Sequence, residues 1–273
     1  MKQFYQGLLL ETMEEKRHGV TAQEKNFDGG KISRVRLEQD NPFERPAGMY
    51  ITVEMMPAQE MPSDALLRTA EAVAQELSPM LRGERILVAA LGNNEITPDS
   101  LGPKMMKHLM ITRPLELLQP DVFRAGHLRS VAAICTNVFG STGVESAEMI
   151  AGVCHQIRPH TVIVIDALAT EHLSRLCTTV QLSDGGLAPG AGVGNHRRWL
   201  TPQGLGVPVI SMGMPTVMNA EKLTGRADEA THQMIVTPTN IGAATDNGAK
   251  LLAYAINRAL HGVEMDEIPG FLS

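Results

Sequence analysis

Two aspartates stand where chemistry is easiest to imagine. Asp99 lies in Thr97-Pro98-Asp99-Ser100-Leu101-Gly102-Pro103, and Asp166 lies in Ile165-Asp166-Ala167-Leu168. Each follows an apolar run that reads as a strand, Arg85 to Leu91 and Thr161 to Ile165. In an open α/β sheet, ligands bind beyond the carboxyl ends of such strands. Asp166 comes directly after four β-branched residues, so this spacing puts it on the ligand edge. A carboxylate there loses hydration and needs a hydrogen bond, a metal or a shared proton. The competing reading is an ordinary cap of the following turn, and for Asp99 a Thr-Pro-Asp helix start. Two carboxylates brought close cannot both ionise easily. One then acts as base on a water and the other as acid toward a carbonyl. With His196 as a third ligand, the same pair could instead hold a divalent metal that activates water.

A third segment runs from Ser183-Asp184-Gly185-Gly186 to Pro189-Gly190-Ala191-Gly192-Val193-Gly194-Asn195. Asp184 is a candidate there, although Ser-Asp-Gly-Gly is also a common turn. The Gly190–Gly194 run lacks a dinucleotide context, because no long helix follows it. It reads as a loop beside the active edge. Asn93, Asp184, Gly185, Gly190, Gly192 and Asn195 are the expected cleft residues, offering backbone donors to a substrate or oxyanion. No Walker sequence, Gly-x-Ser-x-Gly elbow or His-Glu-x-x-His occurs. His155 and His160 read as surface residues.

The elements that must position these groups alternate. Residues 1–30 read as a short helix and a loop. Strands are expected at Val35–Leu37 and Tyr50–Val53, then a helix from about Asp64 to Leu81 capped by Ser63. Strands follow at Arg85–Leu91 and Val131–Cys135, and a helix from Val144 to Ile157. Thr161–Ile165 is a strand ended by Asp166. Leu176–Leu182 reads as a strand near an edge, and Val207–Met212 as another strand. A helix closes the chain from Ile241 to Leu260. The expectation is an α/β fold, a mostly parallel twisted sheet with helices on both faces, in one domain over residues 1–273.

Composition agrees with that class. The chain has 273 residues and a net charge of -6, which disfavours non-specific nucleic-acid binding. Only 4% is aromatic while Met contributes 16 residues, so the core must be aliphatic and Met-filled. Cys135, Cys154 and Cys177 form no Cys-x-x-Cys pair, and reduced thiols are expected. No apolar run approaches the ~20 residues that span a bilayer, so a soluble, intracellular protein is expected.

The sequence resembles the germination protease family of spore-forming bacteria. The likeness rests on Pro46–Glu54, Leu91-Gly92-Asn93, Thr97–Pro103, Gly140–Glu145, Ile165–Ala169, Ser183–Asn195, Gly213–Val217, Val236-Thr237-Pro238 and Ile256–His261, in that order. The resemblance implies an aspartic-type endopeptidase that degrades small acid-soluble spore proteins during germination. Its two functional aspartates match Asp99 and Asp166. It implies a fold similar to the hydrogenase maturation proteases, whose acidic residues bind nickel. A metal-dependent peptidase and a non-catalytic binding relative are therefore the alternatives. It also implies a cytoplasmic location in the forespore or spore core, zymogen control by a propeptide and a homo-oligomer. No cofactor, nucleic acid or membrane partner is expected. Typical members are longer, with a large polar insertion between the segments matching Val217 and Ile235. They begin with a segment resembling Arg-Thr-Asp-Leu-Ala, which is absent here, and carry Ala-Pro-Gly where this chain has Cys135-Thr136-Asn137.

Overall fold

A computed structural model describes residues 19–43, 45–187, 200–224, 234–264 and 267. Among the described residues nine strands join in one sheet, in the order β1-β2-β3-β7-β8-β6-β4-β5, with β9 on β8. The strands are β1 (Val20–Phe27), β2 (Gly30–Leu37), β3 (Gly48–Glu54), β4 (Arg85–Leu91), β5 (Ser130–Asn137), β6 (Thr161–Thr170), β7 (Thr179–Ser183), β8 (Val209–Asn219) and β9 (Ile235–Val236). The described helices are α1 (Ser63–Leu77), α2 (Leu101–Met105), α3 (Arg113–Leu118), α4 (Pro120–Ala125), α5 (Phe139–Thr142), α6 (Ser146–Ile157), α7 (Pro202–Leu205), α8 (Ala220–Thr224) and α9 (Ile241–His261).

The α/β class holds, but the sheet is mixed and not mostly parallel as expected. Its parallel part is β8-β6-β4-β5. The remaining pairings are antiparallel: β1 with β2, β2 with β3, β3 with β7, β7 with β8 and β8 with β9. Periodicity alone does not reveal this wing, because strand direction is set by the connections. The start of the chain is one place where expectation and structure part. Residues 20–27 are a strand, not a loop. β1 is exposed over most of its length and polar, so it carries no apolar alternation to betray it. A two-residue Asp28-Gly29 turn joins it to β2, with Gly29 at φ +129°.

Other boundaries moved for local reasons. α1 ends at Leu77 instead of Leu81, since Pro79 in the next turn cannot continue an α-helix. β7 lies between β3 and β8, so it is an interior strand and not an edge. α6 starts at Ser146, where the Glu145 N–H donates to the Glu148 carboxylate at 3.2 Å. β6 continues through Asp166 to Thr170, because β8 pairs with it over that whole length.

Strand alternation splits the core in two. Ile86, Val88, Ile163, Ile165, Met212 and Met214 point to the face covered by α1, α2 and α9. Leu87, Ala89, Leu91, Val162, Val164 and Leu168 point to the other, where α6 contributes Ala147, Ile150 and Cys154. The antiparallel wing is tied to α1 by Arg34, whose Nε donates to the buried Glu76 carboxylate at 2.6 Å.

Candidate active site

The site begins where β4 stops. β4 and β6 run in register up to Ala90 opposite Ile165. β4 ends one residue later, at Leu91, while β6 and β8 run on together, with Asp166 opposite Gly213. The sheet therefore has a step beside Asp166. The chain leaving β4 folds back into it.

Gly92 has φ +101°, and a Cβ built there would lie 2.1 Å from the Asp99 carbonyl oxygen. Only glycine lets the loop close so tightly. The Asn93 N–H donates to the Asp99 carbonyl at 3.1 Å and to its carboxylate at 2.9 Å. The Asp99 N–H donates to the Ile96 carbonyl at 2.8 Å, closing a one-turn 3-10 helix over Thr97–Asp99. That turn packs chiefly against α9, and also against β6 and β8. The start of α2 sits on the end of β4, since a Cβ on Gly102 would lie 2.3 Å from the Leu91 carbonyl.

Asp166 is 6% exposed, and its Oδ1 accepts the N–H of Ala167 at 2.9 Å. By alternation it shares a face with Val162, Val164 and Leu168, so it belongs to the face covered by α6. Beside it Gly213 contributes no side chain. A Cβ there would lie 2.3 Å from the Asp166 carbonyl and 2.8 Å from Leu168. Neither carboxylate is without a partner. Asp99, half-buried, and Asp166, buried, thus belong to one step of one sheet edge, reached from two different elements.

Asn93 belongs to the same loop, with its Oδ1 accepting the Glu95 N–H at 2.9 Å. Asp184 does not join them. β7 runs antiparallel to β8, and Ser183 is opposite Ser211, so the chain after β7 leaves at the amino edge of the parallel strands. There the Asp184 carboxylate accepts the Met49 N–H at 2.6 Å. It borders an open groove of about 610 Å³ with Gly48, Arg82, Gln203, Val207 and Ile210. Gly185 is buried against Tyr50, whose hydroxyl would lie 2.6 Å from an added Cβ. These two residues hold the wing to the sheet. Gly190, Gly192, Asn195 and His196 lie outside the described residues. The two ends of their loop are described: Leu187 and Leu200 pair with each other and pack on the face that carries Asp166.

Gly213 is the neighbour that residue-type reasoning missed. Its only signal was its place in Gly-Met-Pro-Thr-Val, where a glycine inside an apolar strand marks a close approach. His160 serves the fold, its Nδ1 accepting the Glu84 N–H at 2.9 Å. All three cysteines are free; burial raises the thiols of Cys154 and Cys177, the latter to about 12, and partial desolvation raises that of Cys135 although the residue is exposed, which does not suit a nucleophile. Among the described residues, no group of three or more His, Cys, Asp or Glu is arranged to hold a metal. Asp99 and Asp166 alone do not complete a metal-ligand set.

Fold and site together define an α/β protein in which the turn that carries Asp99, after β4, packs on β6, the strand that carries Asp166. The germination protease family model matches residues 4–231, and the chain belongs to that family. Germination proteases of Caldanaerobacter subterraneus and a Geobacillus strain are 41% and 39% identical over 208 and 214 residues. Those matches cover 74% and 76% of this chain, but only 64% and 57% of the relatives, so the chain spans about three fifths of their length. A Clostridium perfringens germination protease is 32% identical over 301 residues, covering 93% of this chain and 92% of that protein. A NiFe hydrogenase maturation protease, HycI of Thermococcus kodakarensis, aligns at TM-score 0.39 and 16% identity, over 67% of this chain and 99% of that one.

Proposed function

We propose that this protein is an aspartate-dependent endopeptidase that cuts small acid-soluble spore proteins during germination. The observation that supports it most is the step in the sheet, where β4 stops and the Asp99 turn packs on β6, the strand that carries Asp166. In this reading the pair shares a proton, one carboxylate drawing a proton from water and the other donating to the scissile carbonyl. The burial of Asp166 excludes bulk solvent, which favours proton sharing over two ionised groups. The cell compartment in this reading is the cytoplasm of the forespore or spore. Among the described residues no helix is long and apolar enough to cross a membrane.

The test replaces each aspartate by asparagine, which keeps size and removes the titrating group. Cleavage of a small acid-soluble spore protein by Asp99→Asn or Asp166→Asn should fall by about a thousandfold, with the melting temperature little moved. Undiminished cleavage would remove the pair from the mechanism. The reading includes no cofactor. Activity abolished by a chelator and restored by a divalent metal would replace it with a metal mechanism, and tight binding without turnover would replace it with a binding role.

A further inference from the structure

The two lateral edges of the sheet are unlike each other. β1, at one end, is polar and carries Glu24 and Lys25, which discourage strand addition. β5, at the other end, reads Ala132-Ala133-Ile134-Cys135 at its centre, with no charge and no proline. Its hydrogen-bonding direction follows from the ladder. The Ser130 N–H donates to the Glu84 carbonyl, so Ser130, Ala132 and Ile134 turn their backbone groups toward β4. Val131, Ala133 and Cys135 turn theirs outward. The Val131 N–H is taken by the Thr112 hydroxyl at 2.9 Å. No backbone or side-chain partner stands against the outward N–H and C=O groups of Ala133 and Cys135 among the described residues. Ala133 is half-buried and Cys135 exposed, so this stretch of edge is accessible.

We propose that this free edge of β5 is a docking strand, on which an extended stretch of the polypeptide substrate adds to the sheet. The proposal rests on the peptidase reading above. Two outward backbone pairs at a spacing of two residues match an extended chain and not a helix. The edge also leads to the candidate site, because Asn137 at its end lies opposite Leu91, the last residue before the Asp99 loop. Strands lie about 4.8 Å apart, so an added strand would run about 14 Å from β6 and Asp166. About four extended residues bridge that distance. The docked stretch is therefore remote from the cut bond. Recognition there is through main-chain groups, which asks little of the substrate's side chains.

The probe is a small acid-soluble spore protein, with an eight-residue peptide around one of its cut sites as control. Hydrogen exchange at the Ala133 and Cys135 amides of the Asp166→Asn protein should slow about tenfold when the spore protein binds. Alkylation of Cys135 should slow with it, and the buried Cys154 and Cys177 leave that thiol as the reporter. Ala133→Pro removes the outward N–H while sparing the ladder to β4. It should raise KM for the intact spore protein about tenfold, leave kcat unchanged, and leave the short peptide unaffected. Equal exchange with and without substrate would overturn the docking strand, and so would protection that rises with protein concentration alone, which would assign the edge to a second copy. Failure of the unmodified protein to cleave anything would strike the peptidase reading instead; amide protection judges the edge separately.

Discussion

The two faces of the sheet are covered unequally. On one, α9 buries 12 of its 21 residues, and α1 and α2 pack beside it. On the other, α6 buries 4 of its 12. Asp166 belongs to the second. Among the described residues, three packed helices close the first face and fix where the strands lie, whereas Asp166, itself only 6% exposed, is on the more thinly covered second face. The expected division of labour is that stability rests mainly on the closed face and the seat of Asp166 on this second, more open one.

Leu77→Ala tests the closed face most directly. Leu77 is fully buried there, and its truncation should cost about 3–4 kcal/mol in denaturant unfolding. Turnover per folded molecule should not change; a large loss of kcat would break the division of labour. His261, at the end of α9, makes the closed face sensitive to pH. Burial, and then the positive charge of Arg129, push it down from 6.5 to about 4. Below pH 6.5 the unfolded chain binds a proton that the folded chain refuses. Stability is therefore complete above about 6.5 and falls as the pH drops toward 4, by up to about 3 kcal/mol. His261→Leu should flatten the stability curve across that window, as read by thermal melts at pH 4.5 and 7.

Gly213→Ala tests the open face. Its Cβ would press on the Asp166 carbonyl and on Leu168. Displacing a positioned group by about 1 Å is enough to lower cleavage by about a hundredfold. A wild-type rate would show that Asp166 needs no such exact seat. The smallest effect belongs to α6. Glu148→Ala removes the bond to the Glu145 N–H and should cost about 1 kcal/mol in stability, with activity retained.

Much of the parallel half was legible because its strands are buried on both faces. Arg85–Leu91 and Thr161–Ile165 are unbroken apolar runs, and α9 shows its period over 21 residues. β1 was not legible, because a solvated edge strand needs no apolar pattern. The true end of β6 was hidden too: Asp166 looked like a terminator, yet pairing with β8 carries the strand past it. A different pairing, of β9 with β8, bears on the short connection after β8. Met218 and Val236 are directly opposite, so the two ends of that connection lie side by side. An insertion there lengthens a loop whose ends are already fixed, which costs little. In the Clostridium relative the matched span exceeds the length of this chain, so that relative carries extra residues within it.

The sequence by itself determined the apolar strands, the long closing helix, the family and the two aspartates, because each is written in local composition or motif. Tertiary structure decided which acidic residues share an edge. Asp99 and Asp184 look alike in sequence, each in a turn after a strand. β4 runs parallel to β6 and β7 runs antiparallel to β8, so the first is delivered to the carboxyl edge beside Asp166 and the second to the opposite edge. Strand direction depends on how distant segments pair, and no local pattern encodes it.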